Sequence, residues 1–215
     1  MRCLVIGLSK PTDGPVSRYL NRKVSKYITE LIVRRNLRIT PNQVSLIAFS
    51  MALLSSYLYL AELPVLAGIL VQLSSIVDGV DGELARARGM ESRRGAFLDA
   101  VLDRYADVSI LISASLYSLE FFGYWILPVA LLALSGDLLV SYIHLRGEHD
   151  LGTHPALVGR VPGVASRDVR LFIVFLFSLA EIFSPGSVGY SLVVLATLTH
   201  LYTSLKLVQM YNLRR

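Results

Sequence analysis

The chain has 215 residues, of which 53% are hydrophobic and 17% charged, and its mean hydropathy is +0.55. This composition excludes an ordinary soluble domain and is typical of a chain with several membrane-spanning helices. The net charge is +5, but the basic residues flank apolar runs, which favours a membrane surface over nucleic acid as their partner. Cys3 is the one cysteine, so no intrachain disulfide is possible.

Two segments precede the long apolar runs. Residues 1–15 are predicted to form an N-terminal segment that ends in a turn, and residues 16–37 an amphipathic helix with apolar side chains on one side. The basic side chains of this helix fall mostly on the other side: Arg18, Arg22, Lys23 and Lys26. Such a helix beside a membrane span is typical of the bilayer interface, the alternative being a solvated helix on a soluble core.

Six apolar segments follow, near residues 41–60, 65–87, 94–118, 123–145, 167–184 and 187–208. Several approach the ~20 residues that a helix needs to cross the hydrocarbon of a bilayer. Thr40 is predicted to cap the first segment, with Pro41 at its first helical position. We therefore predict an all-α polytopic membrane protein in which residues 38–215 form a domain of six transmembrane helices.

The basic residues predict the orientation of these spans. With six spans, residues 88–93, residues 146–166 and the C-terminus lie on the side of the N-terminus, and nearly every Lys and Arg falls there or at the edges. The three opposite turns contain no Lys or Arg, and Arg104 is the one basic residue placed within a span. The positive-inside rule therefore predicts a multi-pass protein of the cell membrane with both termini in the cytoplasm.

Four aspartates interrupt spans two and three near their predicted cytoplasmic ends. Asp78 and Asp81 are spaced i,i+3, and Asp99 and Asp103 are spaced i,i+4, so each pair falls on one helix face. Buried carboxylates repel one another unless a cation neutralises them, and clustered aspartates without Cys or His favour Mg²⁺ or Mn²⁺. The alternative is ion pairing between helices, with Arg86 or Arg104 as the partner.

The same stretch resembles the signature of the CDP-alcohol phosphotransferase family, Asp-x2-Asp-Gly-x2-Ala-Arg-x8-Gly-x3-Asp-x3-Asp. Every fixed position is present: Asp78, Asp81, Gly82, Ala85, Arg86, Gly95, Asp99 and Asp103. Members of this family transfer a substituted phosphoryl group from a CDP-alcohol to a second alcohol and release CMP. The resemblance implies a six-helix membrane fold, a homodimer and two divalent metal ions, with the active site on the cytoplasmic side.

The resemblance also implies a role for each matched residue. The metal ligands would be Asp78, Asp81 and Asp99, and Asp103 would be the general base with some metal contact. The nucleotide would be bound by Asp78, Asp81, Gly82, Ala85, Arg86 and Gly95, although small residues in membrane helices also serve helix packing alone. Asp107, one turn beyond Asp103, is predicted to pair with Arg104 rather than to bind metal.

A cluster of arginines lies around the loop before the fifth span. Arginines beside a helix N-terminus, here near Ser166, can form a phosphate pocket, so we predict an acceptor that itself carries phosphate. The predicted ligands are Arg146, Arg160, Arg167 and Arg170. The alternative is that these arginines reflect the positive-inside rule and contact lipid headgroups.

The N-terminal sequence through Thr40-Pro41-Asn42 looks like the archaeal and thermophilic subgroup typified by di-myo-inositol phosphate phosphate synthases. This implies transfer from CDP-inositol to inositol 1-phosphate, with the CDP-alcohol supplied by either a fused or a separate cytidylyltransferase. The alternative is a phospholipid synthase that uses CDP-diacylglycerol or CDP-archaeol with inositol phosphate or glycerol phosphate. A transporter and a lipid-binding scaffold are disfavoured, since all four aspartates are present and lie at one end of two adjacent spans.

Overall fold

The computed structural model describes residues 12–159 and 163–212, and within these ranges every regular element is helical. The α-helices are α1 (Arg22–Arg34), α2 (Pro41–Leu60), α3 (Pro64–Arg88), α4 (Arg93–Phe122), α5 (Ile126–Leu151), α6 (Arg167–Ala180) and α7 (Ser187–Tyr211). A π-helical turn, Ser17–Asn21, leads directly into α1. The predicted all-α class is confirmed, whereas most of the predicted N-terminal segment 1–15 lies outside the described residues.

Local sequence signals determine where the helices of the site begin and end. Thr40 caps α2 through a capping box with Gln43, as its position before Pro41 predicts. α3 ends at Gly89, whose φ of 63° is readily available to glycine. The side chain of Ser92 then accepts a hydrogen bond from the backbone N–H of Gly95 and starts α4. The short turn between α3 and α4 holds their aspartate-bearing ends together.

Within residues 12–159 and 163–212, four helical segments are long and apolar enough to cross a membrane: Pro41–Leu60, Pro64–Arg88, Arg93–Leu151 and Ser187–Tyr211. The third spans 59 residues and contains both α4 and α5, which reverse direction at Gly123 and pack against each other. α6 has only 14 residues and ends at Ala180, short of the predicted residue 184; it is about 21 Å long. A multi-pass helical membrane protein is thus supported, and the count of six spans stays a prediction.

The bundle is held together by close helix pairs that surround one main apolar cluster. α2 packs on α3 and α4, α3 packs on α6, and α5 packs on α7. The cluster includes Tyr59, Val71, Ile110 and Leu192, all fully buried. Large apolar side chains that point away from the bundle, such as Leu131 at 67% exposure, form the surface expected to contact lipid.

The amphipathic helix differs from its prediction in one respect. Several of its apolar side chains, including Leu20 and Val24, are exposed, at 42% and 44%, as expected for a lipid-facing side. The side that packs on α3 combines an apolar patch around Ile32 with polar side chains, and Arg22 is buried there with only 8% exposure. The sequence grouped Arg22 with the other basic residues of this helix, but Arg22 is buried because carboxylates beyond the helix itself, Asp13 and Glu83, pair with its guanidinium.

Candidate active site

Carboxylates from α3 and α4 meet at the end of the bundle near the α3–α4 turn. Asp78, Asp99 and Asp103 each place one carboxylate oxygen within 4.8 Å of the others. Asp81 lies beside them, next to Asp99. Its Oδ2 accepts a hydrogen bond of 2.5 Å from Ser45 Oγ of α2. The structure therefore brings together all four aspartates that the sequence singled out.

This cluster fits a hard divalent cation. Two oxygens bound to one Mg²⁺ lie up to about 4.2 Å apart, since each Mg–O bond is about 2.1 Å, so small side-chain movements would bring the three oxygens to one ion. The donors are all carboxylate oxygens, which Mg²⁺ and Mn²⁺ prefer over softer metals. Carboxylates this close together require a positive charge to stay ionised.

Arg167, near the N-terminus of α6, reaches into the cluster. Its Nη1 lies 2.9 Å from Oδ2 of Asp78 and 3.0 Å from Oδ1 of Asp103. Its Nε donates to Oδ1 of Asp107 at 2.9 Å. One guanidinium thus connects α6 to both aspartate-bearing helices, at the point where negative charge is densest.

A second layer of charges lies behind the cluster and alternates in sign. Asp107 is almost fully buried and pairs with Arg104 over 3.1 Å, which confirms the predicted partner. Arg170 is also buried and contacts Asp137 at 2.7 Å. Buried ion pairs of this kind are costly to break, because removing one partner leaves an uncompensated charge. The layer therefore fixes α4, α5 and α6 relative to one another around the site.

The aspartates border a cavity of about 380 Å³ that is open to the outside of the bundle. Its wall is built from the N-terminal segment, α3, α4, α5 and the start of α6, and it carries the following charged side chains: Asp13, Arg22, Asp78, Asp81, Arg86, Asp99, Asp103, Arg104, Arg167, Asp168 and Arg170. Such a mixture of carboxylates and arginines suits a ligand with phosphate groups and bound metal.

One wall of the cavity contains a histidine outside the spans. Burial lowers the pKa of His154 and the Lys206 charge lowers it further, whereas Glu148 opposes this shift. The imidazole is therefore neutral at pH 7 and adds no positive charge to the cavity. Its ring lies against that of His144, with the centroids 4.8 Å apart and the ring planes inclined at 47°.

A smaller cavity of about 160 Å³ adjoins Asp81 and Asp99 on the side of α2. It is lined by every small or basic residue that the signature assigns to the nucleotide: Gly82, Ala85, Arg86 and Gly95. A Cβ atom at Gly95 would lie 2.9 Å from Ser92 Oγ and 3.2 Å from Asn42 Oδ1. A side chain at Gly95 would therefore displace the capping hydroxyl of Ser92 and crowd Asn42 at the start of α2, so glycine favours this packing in addition to any contact with a ligand.

The predicted acceptor arginines lie in different places. Arg167 and Arg170 line the 380 Å³ cavity. Arg146 does not line it; its side chain is 52% exposed and pairs with Asp150 at 2.7 Å. Arg160 lies outside the described residues. The sequence analysis also missed Ser45 and Asp13. The only signal for Ser45 was a polar side chain one turn after Pro41, and the only signal for Asp13 was an acidic residue in a turn.

A family model described as CDP-alcohol phosphatidyltransferase matches residues 38–202. The chain belongs to this family, which confirms what the signature indicated. It is 41% identical over 200 residues to the bifunctional IPC transferase and DIPP synthase of Thermococcus kodakarensis, covering 91% of this chain and 44% of that protein. It therefore spans less than half the length of this relative. It is also 37% identical to the archaetidylinositol phosphate synthase of Pyrococcus horikoshii, covering 74% of this chain and 77% of that protein.

Solved structures share the fold. The phosphatidylinositol phosphate synthase of Mycobacterium tuberculosis, crystallised with CDP-DAG bound, superposes with a TM-score of 0.73 at 21% identity, covering 88% of this chain and 94% of that one. The same protein in complex with manganese and citrate gives a TM-score of 0.72 at 21% identity, covering 88% of this chain and 90% of that one. At this level of identity the similarity establishes the helical fold alone.

Proposed function

We propose that this protein transfers a substituted phosphoryl group from a CDP-alcohol to an acceptor alcohol and releases CMP, in a reaction that depends on a divalent metal. The observation that carries this proposal is the convergence of Asp78, Asp99 and Asp103 within 4.8 Å beside a cavity of about 380 Å³. Membership of the family supports the same reaction. An ion-pair network would explain the arginines but not the adjoining cavity bordered by Gly82, Ala85 and Gly95.

Four aspartates would hold the metal, which we propose to be two Mg²⁺ or Mn²⁺ ions: Asp78, Asp81, Asp99 and Asp103. When bound, the metal neutralises the pyrophosphate and polarises its phosphorus. Arg86 would contact the nucleotide or its phosphates, while Gly82, Ala85 and Gly95 leave room for the cytidine. These roles account for why small residues adjoin the carboxylates on both helices.

Asp103 would be the general base that accepts the proton of the attacking hydroxyl. It lies one turn beyond Asp99 on α4 and borders the 380 Å³ cavity. In our proposal its ion pair with Arg167 is loosened by the acceptor, because a phosphate group competes for the same guanidinium. Acceptor binding would then free the carboxylate at the moment when a hydroxyl is present.

The acceptor would itself carry phosphate, held by Arg167 and Arg170, with Arg160 as a further ligand expected from the sequence. Both described arginines lie on the cavity wall. Arg146, which was predicted with them, has an exposed partner in Asp150 instead. We therefore assign Arg146 no role in acceptor binding.

For the two alcohols we propose CDP-inositol and inositol 1-phosphate, joined as in di-myo-inositol phosphate phosphate synthesis. The 41% identity to a protein named as a bifunctional IPC transferase and DIPP synthase supports this assignment. The second candidate is a phospholipid synthase with CDP-archaeol or CDP-diacylglycerol as donor and inositol phosphate or glycerol phosphate as acceptor. The 37% identity to an archaetidylinositol phosphate synthase favours it.

We further propose that the enzyme is a homodimer in the cell membrane, with six spans, both termini and the active site on the cytoplasmic side. The basic residues around the cavity and at the α3–α4 turn support this orientation. The exposed apolar stripe and basic side chains of residues 16–37 support an interfacial position for this helix, next to the domain formed by residues 38–215.

The deciding experiment incubates the purified protein with Mg²⁺, each CDP-alcohol and a panel of phosphorylated and unphosphorylated polyols, and identifies the products by mass spectrometry. We expect CMP and a phosphodiester that retains the acceptor phosphate. If CDP-inositol is the only donor that gives product, the first candidate is supported. Product from a lipid donor supports the second. CMP release with no acceptor requirement would contradict the proposed transfer.

A further inference from the structure

A polar seam joins α1 to the side of α3 next to the face that carries the metal-site aspartates, and part of it borders the 380 Å³ cavity. On α3 it consists of Gln72, Ser75, Gly79 and Glu83, spaced so that they share one helix face. On the other side it consists of Asn21, Arg22, Ser25 and Thr29, all buried. Asn21 exchanges hydrogen bonds with Gln72 and Ser75 at 2.8 and 3.1 Å. The family signature specifies none of these positions.

Glu83 is the most deeply buried acid of this seam, with 0% exposure. It accepts three hydrogen bonds of 2.8 Å, from Arg22 Nη1, Ser25 Oγ and Thr29 Oγ1. At ~100° per residue it lies about 140° to 200° around α3 from Asp78 and Asp81. Glu83 therefore cannot join the metal cluster, and its hydrogen bonds attach α3 to α1.

Arg22 contacts the backbone of the turn that carries the metal-site aspartates. Its Nη1 donates to the carbonyl of Gly79, immediately after Asp78, at 3.0 Å, and Nε and Nη2 bind Asp13 at 3.0 and 2.9 Å. A Cβ at Gly79 would lie 3.1 Å from Nη1, so glycine permits this approach. Burial opposes the charged form, but the two carboxylates raise the pKa of Arg22 above its ordinary value.

We propose that Arg22 and Glu83 are positioning residues that set the location and rotation of the α3 turn carrying Asp78 and Asp81, and thereby the metal affinity of the site. Arg22 bonds a main-chain atom of that turn, so its displacement moves the turn itself. Buried ion pairs often contribute little net stability because of their desolvation cost, which favours a geometric role. The inference deepens the proposed function, since it rests on metal binding by the same aspartates.

The test measures Mn²⁺ binding to the purified full chain by electron paramagnetic resonance, without substrate and well below the melting temperature. Glu83→Gln keeps the size of the side chain and removes its charge, and we expect the Kd for Mn²⁺ to rise about tenfold, the scale seen when outer partners of metal ligands are lost. Arg22→Lys should retain more affinity than Arg22→Met. Glu30→Gln, which removes a partly exposed acid paired with Arg34 on the same helix, is the matched control and should bind Mn²⁺ like the parent.

Gly79→Ala provides a variant that removes no charge. Alanine favours the helix, so the melting temperature should not fall. The added methyl would lie 3.1 Å from Nη1 of Arg22, and the small shift that this crowding forces on the guanidinium should weaken Mn²⁺ binding. If Glu83→Gln does not yield folded protein, this variant and Arg22→Lys decide the outcome. Parental Mn²⁺ affinity in the folded variants, whatever their melting temperatures, would overturn the proposal. If the parent releases no CMP, the proposed function fails, while the binding comparison still decides the positioning role.

Discussion

Arg167 of α6 and Asp103 of α4 form an ion pair in which Nη1 lies 3.0 Å from Oδ1. The proposed general base is therefore in contact with a proposed phosphate ligand. This pairing links the two substrates of the proposed reaction, because an anion that attracts Arg167 changes the surroundings of Asp103. Because the proposed roles of the two residues differ, substitutions at the two positions should affect different kinetic constants.

Replacing Asp103 by Asn should abolish most CMP release. The amide cannot accept the proton of the attacking hydroxyl, and loss of a general base typically costs about 10²- to 10⁴-fold in rate. The rate of CMP release at saturating substrates is the measurement, with the melting temperature as a check on folding. Asp150→Asn, at an exposed acid paired with Arg146, is the control. Turnover at the parental rate in the Asp103 variant would remove this residue as the base.

Replacing Asp78 by Ala should raise the Mg²⁺ concentration needed for half-maximal activity. Asp78 supplies one of the three clustered oxygens, and losses in the outer shell of metal sites already cost about 10- to 100-fold in affinity. The measurement is the activity of chelator-treated, metal-depleted protein as Mg²⁺ is added back, repeated with Mn²⁺. A metal titration that superposes on the parent's would refute the assignment of Asp78 as a ligand.

Two of the four arginines predicted for the acceptor, Arg167 and Arg146, should differ in their effect on acceptor binding. Arg167→Lys loses the fork that reaches Asp78, Asp103 and Asp107 together, and the KM for a phosphorylated acceptor should rise about tenfold or more, as for a lost charged hydrogen bond. Arg146→Gln should leave that KM unchanged because Arg146 lies away from the cavity. Initial rates over a range of acceptor concentrations measure both. A raised KM in Arg146→Gln alone would reverse the assignment.

The sequence was sufficient to predict the features that depend on local signals. Thr40 and Pro41 predicted the start of α2 because capping needs only neighbouring residues. The spacing of Asp78, Asp81, Asp99 and Asp103 predicted their convergence because helical periodicity and a short turn determine it. The apolar runs predicted the bundle for the same reason.

Features that depend on tertiary contacts could not be predicted in this way. Arg22 has the sequence context of an exposed basic residue, and its burial follows from Asp13 and from Glu83, 61 residues away along the chain. Arg146 and Arg167 belong to one basic cluster in sequence, yet of these two only Arg167 lines the cavity. Arg146 lies on a face of α5 that does not border it. The early end of α6 at Ala180 likewise had no signal in its apolar composition.

Adding a methyl group at Gly68 should destabilise the bundle. A Cβ there would collide with Ser178 of α6, whose hydroxyl hydrogen-bonds the buried Tyr59. Overpacking of this kind costs about 1–3 kcal/mol, more than the helix propensity gained by Gly→Ala. Thermal unfolding in detergent should show a lower melting temperature for Gly68→Ala. Gly163→Ala, where a Cβ would meet nothing within 4 Å, is the matched control, and equal melting temperatures would contradict the close packing of α3 on α6.

Enlarging Ala85 should weaken binding of the CDP-alcohol donor. Ala85 lines the 160 Å³ cavity beside Asp81 and Asp99, and the Leu side chain of Ala85→Leu would fill space that the cytidine needs in the proposed complex. An overpacked site loses about 1–3 kcal/mol, which corresponds to a rise of roughly 5- to 150-fold in the KM for the donor. The KM for the acceptor should change little, because Arg167 and Arg170 lie in the other cavity. Ala87→Leu places the same side chain two residues further along α3, about 200° around the helix, and should leave both constants at the parental values. Equal donor KM values for the two variants would exclude this cavity as the nucleotide site.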